Sequence, residues 1–244
     1  MKRFTDRVAL ITGAGSGIGA ATAYRLASEG ASVVVTDIDS TGKQVVSELV
    51  GAGREATWVQ LDVASGDDWD AATDVVRRHF GRLDVLVNNA GLGDLRTIED
   101  SSLDDYSRII SIMQTGVFLG VKATGDLLKE SKGNVVNVSS MFGVVGALGL
   151  SPAYHAAKGA VASMTRGLAV NWGSAGIRVN AILPGFVDTP LIGGADITPM
   201  TAATPLQRAG TAEEVAAAIA FLASDDAAFV IGAALAVDGG YTAR

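Results

Sequence analysis

Tyr154 and Lys158 stand four residues apart in the run Tyr154-His155-Ala156-Ala157-Lys158. On a helix, that spacing puts both side chains on nearly the same face. A phenol alone is a poor base at neutral pH, with an ordinary pKa of about 10. A neighbouring ammonium stabilises the phenolate and lowers that value. Such a tyrosine can take the proton of an alcohol as hydride leaves the carbon, or return it in the reverse direction. Ser139 and Ser140 close an apolar run upstream. A hydroxyl there can orient a substrate oxygen and offset charge developing on it. Each signal is weak alone. Tyr-x-x-x-Lys also describes a packed tyrosine beside a solvated lysine, and a serine pair also describes the start of a turn.

A second group has the chemistry to hold an anion. Thr12-Gly13-Ala14-Gly15-Ser16-Gly17-Ile18-Gly19 follows the apolar run Val8–Thr12 and opens a helical pattern. Glycine permits a sharp turn and close backbone approach to a pyrophosphate, and the helix N-terminus offers free N–H groups and the positive end of a dipole. The next apolar run ends at Asp37, 18 residues beyond Gly19. A carboxylate there accepts from the ribose hydroxyls of NAD and repels the 2′-phosphate of NADP. Neither Ser16 nor Ile38 supplies a cation to offset that repulsion, so NAD is the expected cofactor. Asp39 reads as a surface or capping residue.

These residues need a scaffold that brings distant segments to one edge. Strand patterns lie at Val8–Thr12, Ser32–Asp37, Ala56–Leu61, Leu83–Asn88, Asn134–Ser139, Arg178–Leu183 and Leu235–Val237. They are continuously apolar rather than alternating, the mark of strands buried on both faces. Helical patterns fall near 18–29, 40–52, 66–79, 103–130, 153–173 and 211–223, the last opening with Thr211 as N-cap and Glu214 at the third helical position. Strand–helix alternation predicts an α/β fold: a single-domain, Rossmann-type doubly wound parallel sheet of about seven strands with helices on both faces, spanning 1–244. The least regular stretch, about 185–210, contains Pro190, Pro199 and Pro205 and reads as a mobile loop over the site.

Composition narrows the class. With 48% hydrophobic and 18% charged residues, the 244-residue chain has material for a packed core and little case for disorder. A net charge of -7 disfavours nucleic acid as a partner. The absence of cysteine excludes disulfides and thiolate metal sites, and two separated histidines make a metal site unexpected. No stretch has the length of a membrane span. The expectation is a soluble cytoplasmic protein without metal or membrane partner.

The whole set of motifs resembles the short-chain dehydrogenase/reductase family, along essentially the whole chain. The glycine motif matches Thr12 through Gly19, and the adenine-side acid matches Asp62, followed by Val63. Asn88-Asn89-Ala90-Gly91 matches the motif after the fourth strand, Ser140 the serine, and Tyr154 and Lys158 the pair. Pro184-Gly185 matches the Pro-Gly turn, and Val237-Asp238-Gly239-Gly240-Tyr241 the family's ending. The resemblance implies cofactor contacts at Asn89, Ala90, Gly91, Val187 and Thr189. It also implies Tyr154 as general acid/base, Lys158 holding the nicotinamide ribose and lowering the tyrosine's pKa, and Ser140 orienting the substrate oxygen. It further implies a homotetramer, with the helices near 103–130 and 153–173 between subunits.

Two departures from the family pattern stand out. Met113 occupies the position of an Asn that helps hold a proton-relaying water behind the lysine, and a thioether cannot make that polar link. In a regular helix, Gln114 and Ser111 point elsewhere. Ser140 also precedes Tyr154 by 14 residues, one more than expected, which keeps Ser139 as an alternative; the glycine-rich Gly143–Gly149 stretch could absorb the extra residue. Pocket candidates are Gly93, Leu95, Met141, Phe142, Val144, Phe186, Leu191 and Ile192, with Arg96 and Arg208 the nearest cations. So apolar a set predicts a small neutral secondary alcohol or its ketone. The alternatives are a 3-oxoacyl thioester reductase, which Asp37 disfavours, and a non-catalytic NAD-binding protein, which the intact Ser140, Tyr154 and Lys158 disfavour. His79, His155 and the three tryptophans read as solvated or packed.

Overall fold

The computed structural model describes residues 2–147, 150–192 and 197–243, with Ile192 described by its backbone alone. Seven parallel strands form one sheet: β1 (Val8–Thr12), β2 (Ser32–Asp37), β3 (Ala56–Gln60), β4 (Val85–Asn88), β5 (Asn134–Val138), β6 (Arg178–Pro184) and, after a further short pair, β9 (Ala234–Val237). Their spatial order is β3-β2-β1-β4-β5-β6-β9. The chain builds outward from β1 to β3, then returns to pair β4 with β1 on the other side. The crevice at this reversal, beyond the carboxyl ends of β1 and β4, is where open α/β sheets bind ligands.

Strand periodicity explains how both faces are filled. Ala9, Ile11, Val33, Val35, Val85 and Val87 point into one core with α1 (Gly17–Ser28), α2 (Gly42–Gly51) and α8 (Ala212–Ala223). Val8, Leu10, Val34, Leu86, Val135 and Val179 point into the other, against α3 (Gly66–Phe80), α5 (Gly116–Ser131) and α6 (Pro152–Trp172). Trp69 sits inside the second core and donates its Nε1–H to the Val63 carbonyl at 3.0 Å. Burial on both faces holds for the inner strands and fails at the edges. β3 is half-exposed, and Ala234 and Ala236 of β9 are exposed, because a marginal strand lies beyond the helices that cover the sheet's centre.

The helix expected over 103–130 is interrupted. α4 (Leu103–Ile110) passes through a π turn at Ser111–Thr115 into α5. The two halves have different partners. Ile109 and Met113 pack against Ala153 and Ala157 of α6. Gly116 and Gly120 lie so close to Val63, Trp69 and Asn88 that an added Cβ would fall within 3 Å of them. A widened turn lets both faces point inward. The angles read from a regular helix for Gln114 and Ser111 therefore do not apply.

The 185–210 stretch is not irregular throughout. Its described part carries β7 (Val187–Asp188), paired with β8 (Gly210–Thr211), and α7 (Thr198–Thr201). The expected start of α8 is present as a reciprocal cap: Glu214 N–H donates to Thr211 Oγ1, and Thr211 N–H donates to the Glu214 carboxylate. No helix among the described residues is long and apolar enough to cross a membrane.

Candidate active site

The glycine turn leaves β1 with Gly13 at φ +61° and Gly17 at φ +53°, conformations that favour glycine. A Cβ at Gly19 would sit 2.2 Å from the Gly13 carbonyl oxygen, so the turn closes on itself only with glycine there. Thr12 and Asn89 lock it. Thr12 Oγ1 accepts the N–H groups of Asn89 and Ala90, and the Asn89 amide donates to the carbonyls of Thr12 and Gly13. The Asn89 amide thus braces the glycine turn from the segment after β4.

The N-terminus of α1 suits an anion. Ser16 makes no side-chain cap and the first turn holds no carboxylate, whereas α3, α4 and α8 each begin with a capping hydroxyl and acidic residues. Thr189 and Pro190 come within 4 Å of the Cβ position of Gly17, which brings the segment after β6 over this helix end. Asp37, at the end of β2, accepts the N–H groups of Gly15 and Ile38. Asp62 is half-buried beyond β3, and Val63 is buried against Gly116. Gly185 must be glycine, because its Cβ would lie 2.6 Å from the Asp238 backbone. Uncapped amides, close-packed glycines and a carboxylate at the ribose end fit a nicotinamide dinucleotide.

On the other side of the crevice, β5 delivers the serine pair and α6 the Tyr/Lys pair. Ser139 is consumed by structure: its hydroxyl donates to the Lys158 carbonyl at 2.7 Å. Gly143 packs on the same carbonyl, where a Cβ would be 2.8 Å away. Ser140 accepts the Phe142 N–H at 3.1 Å and hydrogen-bonds Tyr154. Of the two hydroxyls, it is Ser140's that meets Tyr154. Part of the Gly143–Gly149 stretch, Leu148 and Gly149, lies outside the described residues.

Lys158 is 5% exposed and donates to the Val138 carbonyl at 2.8 Å. Burial lowers its pKa to about 8. Burial also pushes the Tyr154 phenol above its ordinary value, only partly offset by the Ser140 hydrogen bond. The ammonium was expected to lower it, but Lys158 Nζ is turned to Val138 and stands 6.0 Å from the centre of the tyrosine ring. Met113 is 1% exposed and packs among Ile109, Ala153, Ala157 and Tyr154. Its Cε and Lys158 Nζ both lie within 4 Å of the Cβ position of Gly91, so the thioether and the ammonium converge on the same glycine.

Phe142 and Phe186 are half-buried and meet edge-on at 5.8 Å. Tyr241 completes a three-ring cluster, 6.0 Å from Phe142 and 5.7 Å from Phe186. Met141 corrects the pocket expectation: it is wholly buried and offers no surface to a ligand. Leu95, Val144 and Leu191 are exposed, and Gly93 faces the Leu191 carbonyl. Both nearby cations are taken. Arg96 pairs with Asp94 and Asp105, and Arg208 pairs with Glu214. Asp94 is opposed by burial, but hydrogen bonds from Arg96 and Ser151 win and hold it below the usual carboxylate range.

Sequence reasoning missed Tyr241 as a pocket residue and treated His155 as merely packed. Tyr241 had only its place in the terminal motif as a signal. His155 had none, since its partners are backbone groups.

A family model described as enoyl-(acyl carrier protein) reductase matches residues 13–242. A cis-4-hydroxycyclohexanecarboxylate dehydrogenase of Sinomonas cyclohexanicum is 48% identical over 98% of each chain. A cyclopentanol dehydrogenase of Comamonas sp. is 41% identical over the full length of both. The crystal structure of levodione reductase superposes with a TM-score of 0.94 at 37% identity, covering 99% of this chain and 100% of that one.

Proposed function

The chain belongs to the short-chain dehydrogenase/reductase family, and on that premise we propose that it is a NAD-dependent dehydrogenase of neutral secondary alcohols on small saturated rings. One observation carries the reading. Ser140 and Tyr154 are hydrogen-bonded to each other beside a buried Lys158, and the adjoining wall is aromatic with both of its neighbouring arginines neutralised.

When bound, the nicotinamide supplies the acceptor for the hydride that leaves the carbinol carbon. Ser140 donates to the substrate oxygen, and Tyr154 takes the hydroxyl proton as the carbonyl forms. Lys158 would hold the ribose, and the cofactor's positive charge would offset the burial that raises the phenol. Gly13, Gly15, Ser16, Gly17, Ile18 and Gly19 hold the pyrophosphate, and Asp37 the adenosine ribose. Asp62 and Val63 bound the adenine side. Ala90, Gly91, Pro184, Gly185, Val187 and Thr189 flank the nicotinamide half. A cytoplasmic homotetramer is part of the same reading.

The Sinomonas relative is named for a ring bearing a carboxylate, so the charge of the substrate is the point to test. With purified enzyme and NAD, kcat/KM for cyclohexanol should exceed that for either isomer of 4-hydroxycyclohexanecarboxylate, because Arg96 and Arg208 are both already paired with carboxylates. A clear preference for the carboxylate would reject the neutral-substrate reading.

Cofactor choice rests on Asp37. Two unit charges 4 Å apart repel by about 4 kcal/mol at an effective dielectric of about 20. Asp37→Asn keeps a hydrogen-bond acceptor for Gly15 while removing the charge. It should move the NAD/NADP ratio of kcat/KM toward NADP by about 10- to 100-fold. An unchanged ratio would mean that the carboxylate does not face the 2′ position.

Met113 limits proton exchange behind Lys158 without blocking hydride chemistry. Met113→Asn should raise kcat several-fold, a fraction of the 10²–10⁴ that acid–base catalysis typically contributes. Unchanged kinetics would remove Met113 from the account.

A further inference from the structure

Both ring nitrogens of His155 are committed. Nδ1 lies 3.1 Å from the Ser151 carbonyl oxygen, and Nε2 accepts the Ala147 N–H at 3.2 Å. A carbonyl only accepts and a backbone N–H only donates. The two partners together therefore assign a neutral imidazole with its proton on Nδ1. The ring also packs against Phe142, with centroids 6.0 Å apart.

His155 thus bridges the first turn of α6 and the far end of the segment that leaves Ser140. Ser151 extends the bridge. Its N–H donates to the Asp94 carbonyl at 3.1 Å, and its hydroxyl caps α6 by accepting the Ala153 N–H at 3.1 Å. Chain from after β4, chain from after β5 and the start of α6 therefore meet at His155 and Ser151. Phe142 and Val144, on the segment so held, belong to the substrate wall.

We infer that His155 is a positioning residue that fixes this wall against the helix carrying Tyr154, and so sets the affinity for the alcohol rather than the rate of the chemical step. The kinetic part of the inference rests on the proposed dehydrogenase activity; the bracing itself does not. The chemistry distinguishes two substitutions. His155→Asn keeps a donor near the position of Nδ1 and loses the acceptor at Nε2. His155→Gln can place a carbonyl oxygen near the position of Nε2 and keep the acceptor.

The test measures KM and kcat for cyclohexanol at saturating NAD in wild type, H155N and H155Q, with amide exchange at Ala147 in the same proteins. H155N should raise KM about 3- to 10-fold, the loss of one hydrogen bond. It should keep kcat within about twofold and the KM for NAD unchanged, and Ala147 should exchange faster. H155Q should recover most of both losses. Equal behaviour of the two variants, or a lowered Tm with unchanged KM, would overturn the inference and reduce His155 to packing. If the wild type oxidises no cyclic alcohol, the activity reading fails while exchange still decides the bracing. Faster exchange in H155N alone supports it, and equal exchange in both variants overturns it.

Discussion

Tyr154→Phe should lower kcat by about 10²–10⁴, the usual worth of a positioned acid–base group, while NAD affinity stays within about threefold. The substitution removes one oxygen and leaves the ring to pack on Met113 and Ile109 as before. Ser140 keeps its bond from the Phe142 N–H, so the wall of the pocket has no reason to move. Because the effect falls on a proton transfer, kcat and kcat/KM should drop together. The check is steady-state turnover beside cofactor binding measured by fluorescence. Retained turnover in the variant would shift the acid–base role to another group, and lost NAD binding would make Tyr154 a structural residue.

Lys158→Met should abolish turnover and yet stabilise the ligand-free protein at pH 7. Burial lowers the folded-state pKa of Lys158 from 10.5 to about 8. Below about pH 8 the lysine is protonated in folded and unfolded chains alike, and the full cost of the buried charge is present. Between 8 and 10.5 the unfolded chain binds more protons than the folded one, so wild-type stability rises with pH. Above 10.5 both forms are neutral and the penalty is gone. At about 1.4 kcal/mol per pKa unit, the cost at pH 7 is on the order of 3 kcal/mol, and methionine fills a similar volume without it. Urea unfolding at pH 7 and at pH 10 measures the difference. The variant's advantage should be on the order of 2–3 kcal/mol at pH 7 and much smaller at pH 10. A variant less stable than wild type at pH 7 would mean that the Val138 hydrogen bond outweighs the desolvation. Such a balance is common in active sites, where groups needed for chemistry sit in costly surroundings.

The sheet and its helices were legible because their signal is local. β1 and β2 start and stop where their apolar runs do, and the Thr211/Glu214 cap is written in four consecutive residues. The glycine turn, Ser140, Tyr154 and Lys158 could be picked out as candidates because each is a fixed residue at a fixed place in the alternation. What escaped depends on long-range geometry. The π turn at Ser111–Thr115 reconciles two packing faces that no helical wheel displays. The direction of the Tyr154 shift follows from burial and from Lys158 turning to a carbonyl of β5. Met141 and Phe142 are adjacent and equally apolar in sequence, yet one is wholly buried and the other joins the aromatic cluster. Spacing left Ser139 and Ser140 both open; in the fold Ser139 bonds the Lys158 carbonyl and Ser140 meets Tyr154.

The most direct test of the central claim follows the absorbance of reduced nicotinamide as purified protein is mixed with cyclohexanol and either NAD or NADP. The account predicts reduction of NAD, matched mole for mole by ketone, with NADP used far less well. Failure to oxidise any cyclic alcohol, together with NADPH-dependent reduction of a 3-oxoacyl thioester, would contradict it.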